Sequence, residues 1–534
     1  MAKGLNRRRS FSVSEWSRKQ RTIKGESQVA GVSSIPLIAR AEHHGERTAI
    51  ITPEGVFTYR DLLHASRQVA ACLLQGENDL RERRVAYSQP PGFEYVALQW
   101  GIWRAGGIAV PLCASHPRPE VEYVIEDAGA DTVVAHPHYA PMLRAIARER
   151  GLRFLGTGET FNLLERALPK VDITRRALIL YTSGTTSKPK GVVTTHRNIQ
   201  AQVTSLITAW EWSAEDHILH VLPLHHIHGI INVLTCAIWA GARCQMLPRF
   251  DAEEVWARFL KEDLTLFMAV PTIYVKLNAA WEAAPPERQK AMSQACAKLR
   301  LMVSGSAALP VSVLEKWHQI SGHVLLERYG MTEIGMGLSN PLRGRRAPGH
   351  VGTPLPDVEV QLVDDDGREV GLGTPGEIEV RGPGVFLEYH NRPEATREAF
   401  HDGWFRTGDV AVVEDGNYRI LGRKSVDIIK TGGYKVSALE IEEVLREHPD
   451  VQECAVVGVE DPEWGERVCA AIVLRAGRDP SPELIQRWAR DRLAAYKVPR
   501  RVLIVPELPR NAMGKVIKPE VMRLFLGKGE GAEG

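Results

Sequence analysis

The segment Leu178–His196 reads LILYTSGTTSKPKGVVTTH, and it decides the fold prediction. Its apolar start, ending at Tyr181, is typical of a buried strand. A loop dense in donors follows, made of Thr182, Ser183, Gly184, Thr185 and Thr186 and then Lys188 and Lys190. Glycine lets the backbone approach a ligand, hydroxyls donate and lysines supply charge, so the loop suits phosphate oxygens. The alternative is a solvated Ser/Thr turn, which the donor density disfavours. No GKS or GKT closes the loop, so it is not a Walker A motif.

Length and composition limit the classes of protein to consider. The 534 residues are 44% hydrophobic and 25% charged, which is ordinary for a globular chain and suggests three or four units of roughly 150 residues. A net charge of +2 gives no case for nucleic-acid binding. The sequence contains no apolar run of about 18 residues, the length that would indicate a membrane span. The seven cysteines form no CxxC pair, which predicts reduced intracellular thiols and no zinc site.

The first residues differ from the rest. Residues 1–24 carry eight lysines and arginines against one acid, Glu15. This bias fits an organellar transit peptide, and a disordered basic tail is the alternative. Residues 1–33 are therefore set apart from the folded chain.

The remaining pattern predicts two folded domains. Strand-like runs such as Ile218–Leu222, Leu266–Val270 and Leu301–Ser304 alternate with helical patterns such as His196–Trp210, which predicts α/β layers. Between Val358 and Val380, short strands broken by DDDG and GLGTPGE predict a β-rich subdomain. The predicted fold class is α/β, with a large N-terminal domain of layered α/β subdomains and a β-rich subdomain over residues 34–423.

A boundary is expected at Gly422–Ser425, and residues 424–534 form a small α+β domain. Ser437 and Glu440 predict a capping box at the start of a helix. Strands are predicted at Val451–Val459 and Val468–Leu474, and another helix at Pro482–Leu493.

Several separated motifs complete the pattern. They are SGSAA at 304–308, ERYGMTE at 327–333, GWFRTGD at 403–409, GRKS at 422–425 and PRNAMGK at 509–515. In this order, behind the hydroxyl-rich loop, they resemble the adenylate-forming superfamily of acyl-CoA synthetases, luciferases and peptide-synthetase adenylation domains. The chain departs from many members at Ser187, where they carry a third glycine.

The resemblance implies a chemistry and a set of site residues. A carboxylate attacks ATP to give acyl-AMP and pyrophosphate, and the thiol of CoA then displaces AMP, while the small domain rotates near Lys424–Ser425. Lys515 would be the catalytic lysine, Thr332 would contact the α-phosphate and Glu333 would hold Mg²⁺, a cation that favours carboxylate and phosphate oxygens. The nucleotide and CoA contacts implied are Thr182, Ser183, Gly184, Thr185, Thr186, Lys190, Ser304, Gly305, Ser306, Ala307, Glu327, Tyr329, Gly330, Asp409, Arg423, Lys424, Gly432 and Gly433.

Two segments bear on the acid substrate. In LPLHHIHG, residues 222–229, three histidines could suggest a metal, but His226 can instead donate to a substrate carboxylate. Lys276 lies in the apolar segment 271–276, where a buried lysine would need a counter-charge such as a second substrate carboxylate. The alternative is that Lys276 points to solvent from a helix start.

From about Pro36 to Lys518 the chain looks like malonyl-CoA synthetases of the mitochondrial malonate- and methylmalonate-activating kind. By that likeness His226 and Lys276, or Arg343, would contact the distal carboxylate.

The leading hypothesis is an ATP-, Mg²⁺- and CoA-dependent malonate ligase, with no nucleic acid or membrane partner. A short- or medium-chain fatty acyl-CoA synthetase and a non-catalytic nucleotide- or CoA-binding descendant are the alternatives. The mitochondrial matrix is favoured over the cytoplasm, and the sequence does not indicate an oligomeric state.

Overall fold

The computed structural model describes residues 35–113, 115–161, 166–182, 188–432, 434–510 and 515–526. Four β-sheets lie within these ranges. The basic segment 1–33 lies outside them, as do Ser183, Gly184, Thr185, Thr186 and Gly433. No helix in the described part of the chain is both long and apolar enough to cross a bilayer.

Two large sheets form the body of the N-terminal domain. In spatial order, the nine-stranded sheet contains Thr353–Pro354, Gly335–Ser339, Leu326–Met331, Leu301–Ser304, Leu266–Ala269, His217–His220, Arg243–Met246, Thr48–Thr52 and Gly55–Thr58. The seven-stranded sheet contains Glu388–Tyr389, Lys190–Thr195, Arg176–Thr182, Ile108–Pro111, Arg84–Ser88, Thr132–Ala135 and Arg153–Gly156. The middle of each sheet is parallel, which requires the helical crossovers that the sequence alternation predicted.

Helices cover both sheets. They are Pro36–His44, Tyr59–Leu74, Phe93–Arg104, Arg118–Asp127, Ala140–Glu149, Thr157–Phe161 (3₁₀), His196–Trp210, His228–Thr235 (π), Cys236–Ala240, Ala252–Lys261, Pro271–Ala283, Pro286–Cys296, Val311–Ser321 and Pro393–Ala399. The helix His196–Trp210 has its predicted bounds because Thr195 caps it. The Thr195 hydroxyl accepts from Asn198 N at 3.1 Å, and Asn198 Oδ1 accepts from Thr195 N at 2.9 Å.

The core lies between the two large sheets and their shared helices. Buried tryptophans tie these layers together through their single polar atom. Trp103 Nε1 donates to Ala177 O at 2.7 Å, and Trp210 Nε1 donates to Ser339 Oγ at 3.1 Å. These bonds join an interior strand of the seven-stranded sheet to the helix Phe93–Arg104, and the helix His196–Trp210 to the nine-stranded sheet.

The predicted β-rich subdomain is a third, antiparallel sheet. It contains Glu359–Val363, Gly376–Arg381, Trp404–Glu414, Phe400–His401 and Asn417–Arg423. The last two long strands are joined by Asp415 and Gly416, both at positive φ (48° and 77°), as a two-residue hairpin turn requires. This turn sets the pairing that later brings two site residues together.

The C-terminal residues form a fourth sheet with helices on it. Its strands are Ile428–Thr431, Tyr434–Ser437, Val451–Asp461, Gly465–Leu474 and Arg501–Ile504, and its helices are Ala438–Arg446, Pro482–Arg490 and Lys518–Leu526. The α/β fold with a large N-terminal and a smaller C-terminal domain is confirmed. The division after Arg423 and the mobility of the small domain stay predictions.

One local prediction in this domain is half wrong. Ser437 Oγ does accept from Glu440 N, at 3.2 Å. The Glu440 carboxylate does not complete a capping box, because it accepts from Lys497 Nζ at 2.5 Å instead. A tertiary ion pair has replaced the local contact.

Candidate active site

The motif-bearing segments meet at one edge of the nine-stranded sheet. Strands His217–His220, Leu266–Ala269, Leu301–Ser304 and Leu326–Met331 are parallel neighbours. Their carboxyl ends therefore lie side by side, where open α/β sheets bind ligands. LPLHHIHG and SGSAA begin at or just beyond these strand ends, and ERYGMTE ends two residues beyond the strand Leu326–Met331.

Asp409 is the centre of a buried polar cluster. Its carboxylate accepts from Tyr329 Oη at 2.5 Å and pairs with Arg423 Nε at 2.9 Å. The Asp415–Gly416 hairpin makes this contact possible by placing Asp409 opposite Arg423 in neighbouring strands. Burial raises the pKa of Asp409, although Arg423 and Tyr329 act to lower it. Asp409 and Arg423, two predicted nucleotide contacts, and Tyr329, the predicted adenine contact, are therefore joined in one network.

Glu333 presents a second buried carboxylate. It accepts from Tyr389 Oη at 2.9 Å, and burial raises its pKa. Lys190 also contacts Tyr389, with Nζ 4.9 Å from the centre of the tyrosine ring. Within the described ranges, no three His, Cys, Asp or Glu side chains could hold a metal by themselves. A single carboxylate fits Mg²⁺, which usually takes one or two carboxylates together with substrate phosphates and water.

The phosphate loop is only partly described. Thr182 and Lys190 pair at the ends of two antiparallel strands. Ser183, Gly184, Thr185 and Thr186 lie outside the described residues. The second strand, Lys190–Thr195, was not predicted from the sequence.

Lys515 reaches the same site from the C-terminal domain. Its side chain is exposed at the surface of the chain. The surrounding protein nevertheless lowers its pKa, mainly through desolvation and secondly through the charges of Arg423 and Arg328. The following helix is anchored by Lys518, whose buried ammonium pairs with Asp427 at 2.8 Å and Glu442 at 2.7 Å. The described contacts therefore place Lys515 on the side of the small domain that faces Asp409.

Other predicted residues have partners of their own. The Glu327 carboxylate accepts from Gly349 N at 2.9 Å, and burial raises its pKa to about 8. Lys424 Nζ pairs with Asp365 at 2.9 Å and Glu377 at 3.0 Å.

Four more predicted contacts lie on strand ends and turns. Thr332 is half-buried in the turn before Glu333, and Gly330 lies near the end of the preceding strand. Ala307 follows the strand Leu301–Ser304 with an exposed side chain. Gly432, at φ 55°, packs against the Trp464 ring and donates its N–H to Trp464 O at 2.9 Å.

The segment 222–229 follows the strand His217–His220 at this edge of the sheet. A π-helix begins at His228, a distortion often found at functional sites. His226 is half-buried, and burial followed by the charges of His225 and Lys515 lowers its pKa to about 3. Among the described residues, Nε2 of His226 and Nε2 of His228 have no hydrogen-bond partner. Burial thus favours the neutral form of both imidazoles.

Close to this segment lies a residue that the sequence reasoning missed. Arg328 is buried, and its Nη2 donates to Ser306 Oγ at 3.3 Å, which in turn contacts His228 Nδ1 at 3.2 Å. Its Nε has no partner within the described residues, and no carboxylate forms an ion pair with it there. Burial lowers its pKa to about 9. Gly305 allows this packing, because a Cβ there would lie 2.6 Å from the guanidinium carbon.

Both cations that the sequence suggested lie elsewhere. Lys276 is exposed on the helix Pro271–Ala283, with Nζ 5.8 Å from the Phe250 ring centre. Arg343 pairs with Glu211 at the surface, and its side chain is 80% exposed. The expectation of a lysine buried in an apolar pocket is wrong, because Lys276 lies on the solvent face of its helix. The buried cation near the histidine segment is Arg328.

Comparison with known proteins identifies the family of the chain. Residues 37–390 match the model of the AMP-binding enzyme family, and residues 440–515 match that of the AMP-binding enzyme C-terminal domain. The chain therefore belongs to the AMP-binding enzyme family. It is 47% identical to the mitochondrial malonate–CoA ligase ACSF3 of Mus musculus, with 93% of this chain and 92% of the relative covered.

Solved structures also inform the arrangement of the domains. ATP-bound MatB from Rhodopseudomonas palustris superposes with a TM-score of 0.85 at 33% identity, covering 92% of this chain and 99% of that one. The apo form of MatB, at the same identity and coverage, gives 0.76. The present arrangement is thus more similar to the ATP-bound form.

A buried charge without a counter-charge should cost stability. We expect Arg328→Met to raise the stability of the ligand-free protein by about 1–3 kcal/mol, because it removes a desolvated cation. The midpoint of thermal unfolding measures this change. Arg346→Met is the matched control and should lower the midpoint, since Arg346 donates to Pro341 O and Leu342 O at 3.1 and 2.9 Å. An equal loss of stability in both variants would contradict this account of Arg328.

Proposed function

We propose that this chain is a malonate–CoA ligase. Malonate would attack the α-phosphorus of ATP, giving malonyl-AMP and pyrophosphate, and the thiol of CoA would then displace AMP to give malonyl-CoA. Relatives of that name that match over most of both chains support the proposal. The observation that carries it is the buried guanidinium of Arg328, whose Nε has no hydrogen-bond partner among the described residues.

The charge of Arg328 favours a dicarboxylate over a fatty acid. An acyl chain would leave the guanidinium buried beside carbon atoms, which is strongly unfavourable. The distal carboxylate of malonate would supply the counter-charge and accept from Nε, with Ser306 and neutral His228 as neighbouring groups. Methylmalonate adds one methyl group and is the second substrate we propose. His226 would donate to the substrate carboxylate.

The adenylation step relies on groups from both domains. Lys515 would contact the attacking carboxylate and the α-phosphate and stabilise the charge that grows in the transition state. Thr332, Lys190 and the loop Thr182–Thr186 would hold phosphate oxygens. Mg²⁺, bound to Glu333 and phosphates, would neutralise the departing pyrophosphate. Asp409 would accept from the ribose hydroxyls.

Adenine and CoA would contact the remaining predicted residues. Adenine would pack against Tyr329 and the segment Ser304–Ala307. For thioester formation the small domain would turn near Lys424, whose pairing with Asp365 and Glu377 would be part of the adenylation state. Gly432 and Gly433 would then approach the pantetheine arm in place of Lys515. Glycine pairs allow such close approach of backbone to ligand.

For location we infer the mitochondrial matrix, with the cytoplasm as the alternative. The mammalian relatives carry the word mitochondrial in their names, and the basic segment 1–33 fits a transit peptide. The distribution of a tagged full-length chain, compared with one lacking residues 1–33, checks this inference.

The function is tested by a panel of acids. We expect purified protein with ATP, Mg²⁺ and CoA to release AMP fastest with malonate or methylmalonate. Acetate and octanoate should be slower by about 100-fold or more, because neither satisfies the buried guanidinium. Faster turnover of octanoate would contradict the substrate assignment, and the absence of turnover with every acid would contradict the ligase itself.

Lys515 should act on the first step only. We expect Lys515→Ala to slow malonyl-AMP formation by about 100-fold or more, as loss of a charge-stabilising donor does. Thioester formation from supplied malonyl-AMP should change little. Each half-reaction is measured separately by rapid quench. Equal slowing of both steps would contradict a role confined to adenylation.

The pH dependence gives an independent check on the same lysine. Because its pKa is lowered from 10.5, Lys515 loses its proton at a lower pH than an ordinary lysine. Adenylation by the unchanged protein should therefore decline on the alkaline side below that value. The residual rate of Lys515→Ala should lack this decline.

A further inference from the structure

A hydrogen bond joins the two predicted domains at a point away from the hinge. The carboxylate of Glu443, on the helix Ala438–Arg446 of the small domain, accepts from Val311 N at 2.9 Å. Val311 is the first residue of the helix Val311–Ser321 in the large domain, and the preceding Pro310 has no polar side chain to cap that helix. The N–H groups of a helix start favour an anion, so Glu443 supplies a cap from the other domain.

Glu443 is also the first member of a chain of charged groups. Arg446 Nη1 donates to Glu443 Oε2 at 3.1 Å, and its Nη2 donates to Glu442 Oε2 at 2.9 Å. The other oxygen of Glu442 pairs with Lys518 Nζ at 2.7 Å. These last two side chains are only 5% and 12% exposed, so water screens their attraction little. Because Lys518 begins the helix that follows Lys515, the contact made by Glu443 is linked to the catalytic segment.

A second set of contacts ties Lys518 to the hinge. Its ammonium also pairs with Asp427 Oδ1 at 2.8 Å, and Asp427 Oδ2 accepts from Arg423 N at 3.0 Å. That hydrogen bond joins residues only four apart in the chain, so it is local. Glu443 and Val311 are 132 residues apart, so their bond depends on how the small domain is placed against the large one.

We propose that Glu443 is a positioning residue for adenylation, an inference that rests on the proposed function. Its bond to Val311 holds the small domain in the arrangement that presents Lys515 to ATP and the acid. When the small domain turns for the second step, Glu443 and Val311 move with different domains and the bond breaks. Glu443 therefore stabilises the first arrangement alone, and its removal shifts the population away from that arrangement.

Hydrogen exchange tests the contact without turnover. With ATP and Mg²⁺ but no acid, Glu443→Ala should speed exchange of the Val311 amide by about fivefold or more, because a charge-assisted bond no longer protects it. Mass spectrometry with fragmentation that resolves single amides measures this rate. Glu447→Ala is the matched control, since Glu447 is exposed at the end of the same helix and its side chain has no partner among the described residues. Unchanged protection in Glu443→Ala would overturn the proposal.

The two half-reactions test the consequence. With whichever acid gives the fastest AMP release, Glu443→Ala should slow the adenylation step by about fivefold or more, while thioester formation from the supplied acyl-AMP stays within about twofold. Equal slowing of both steps would indicate a role in folding alone and would overturn the proposal. Inactivity of the unchanged protein with every acid would contradict the ligase and its adenylation step, whereas hydrogen exchange would still establish the contact.

A double-variant cycle assigns the effect to this one bond. Val311→Pro removes the donor N–H at the first helical position, which proline fits, and Pro310 before it is already extended (φ −59°, ψ 133°). Val311→Pro alone should slow adenylation by about the same factor as Glu443→Ala. Combining the two should slow it by no more than about twofold further, because both remove the same bond. Two losses that multiply in the double variant would contradict the proposal.

Discussion

The buried charge of Arg328 is the constraint on which the proposed pocket depends. Arg328 is buried in the strand Leu326–Met331, which lies between Leu301–Ser304 and Gly335–Ser339 in the nine-stranded sheet. Gly305 provides the space, and Ser306 Oγ, which also contacts His228, accepts from Arg328 at 3.3 Å. The protein therefore maintains a desolvated cation that no described carboxylate neutralises. A substrate that carries its own second carboxylate removes that cost on binding.

Charged groups from both domains also meet near Asp409. Asp409, Arg423 and Tyr329 form a closed network in the large domain, and Lys515 approaches it from the small one. Lys518 fixes the helix after Lys515 through two buried carboxylates. The proposed closure of the small domain would thus bring a cation toward a site that already holds Arg423 and Arg328. Phosphate groups of ATP would offset that repulsion, so nucleotide binding and closure should favour each other.

Sequence reasoning succeeded where a local signal was complete. The helix His196–Trp210 has a cap at one end and a regular apolar face, and Leu301–Ser304 is a short apolar run before glycine. Sequence reasoning failed where tertiary packing determines whether a side chain is buried or exposed. Lys276 lies in an apolar segment, yet only the packing of its helix reveals that this position faces solvent. Arg328 is part of the quoted motif ERYGMTE, but the sequence of a single strand does not show that this side chain is buried in the folded protein. The pairing of Asp409 with Arg423 also depends on a one-residue register shift after Val410, which no periodicity shows.

The central claim is that Arg328 selects the dicarboxylate. The most direct measurement is kcat/KM of Arg328→Met for malonate and for butyrate, an acid of similar length that lacks the distal charge. The account predicts that malonate loses about 100-fold or more while butyrate is unchanged or improves, so that the preference collapses or reverses. A variant that keeps the preference of the unchanged protein within about twofold would contradict it.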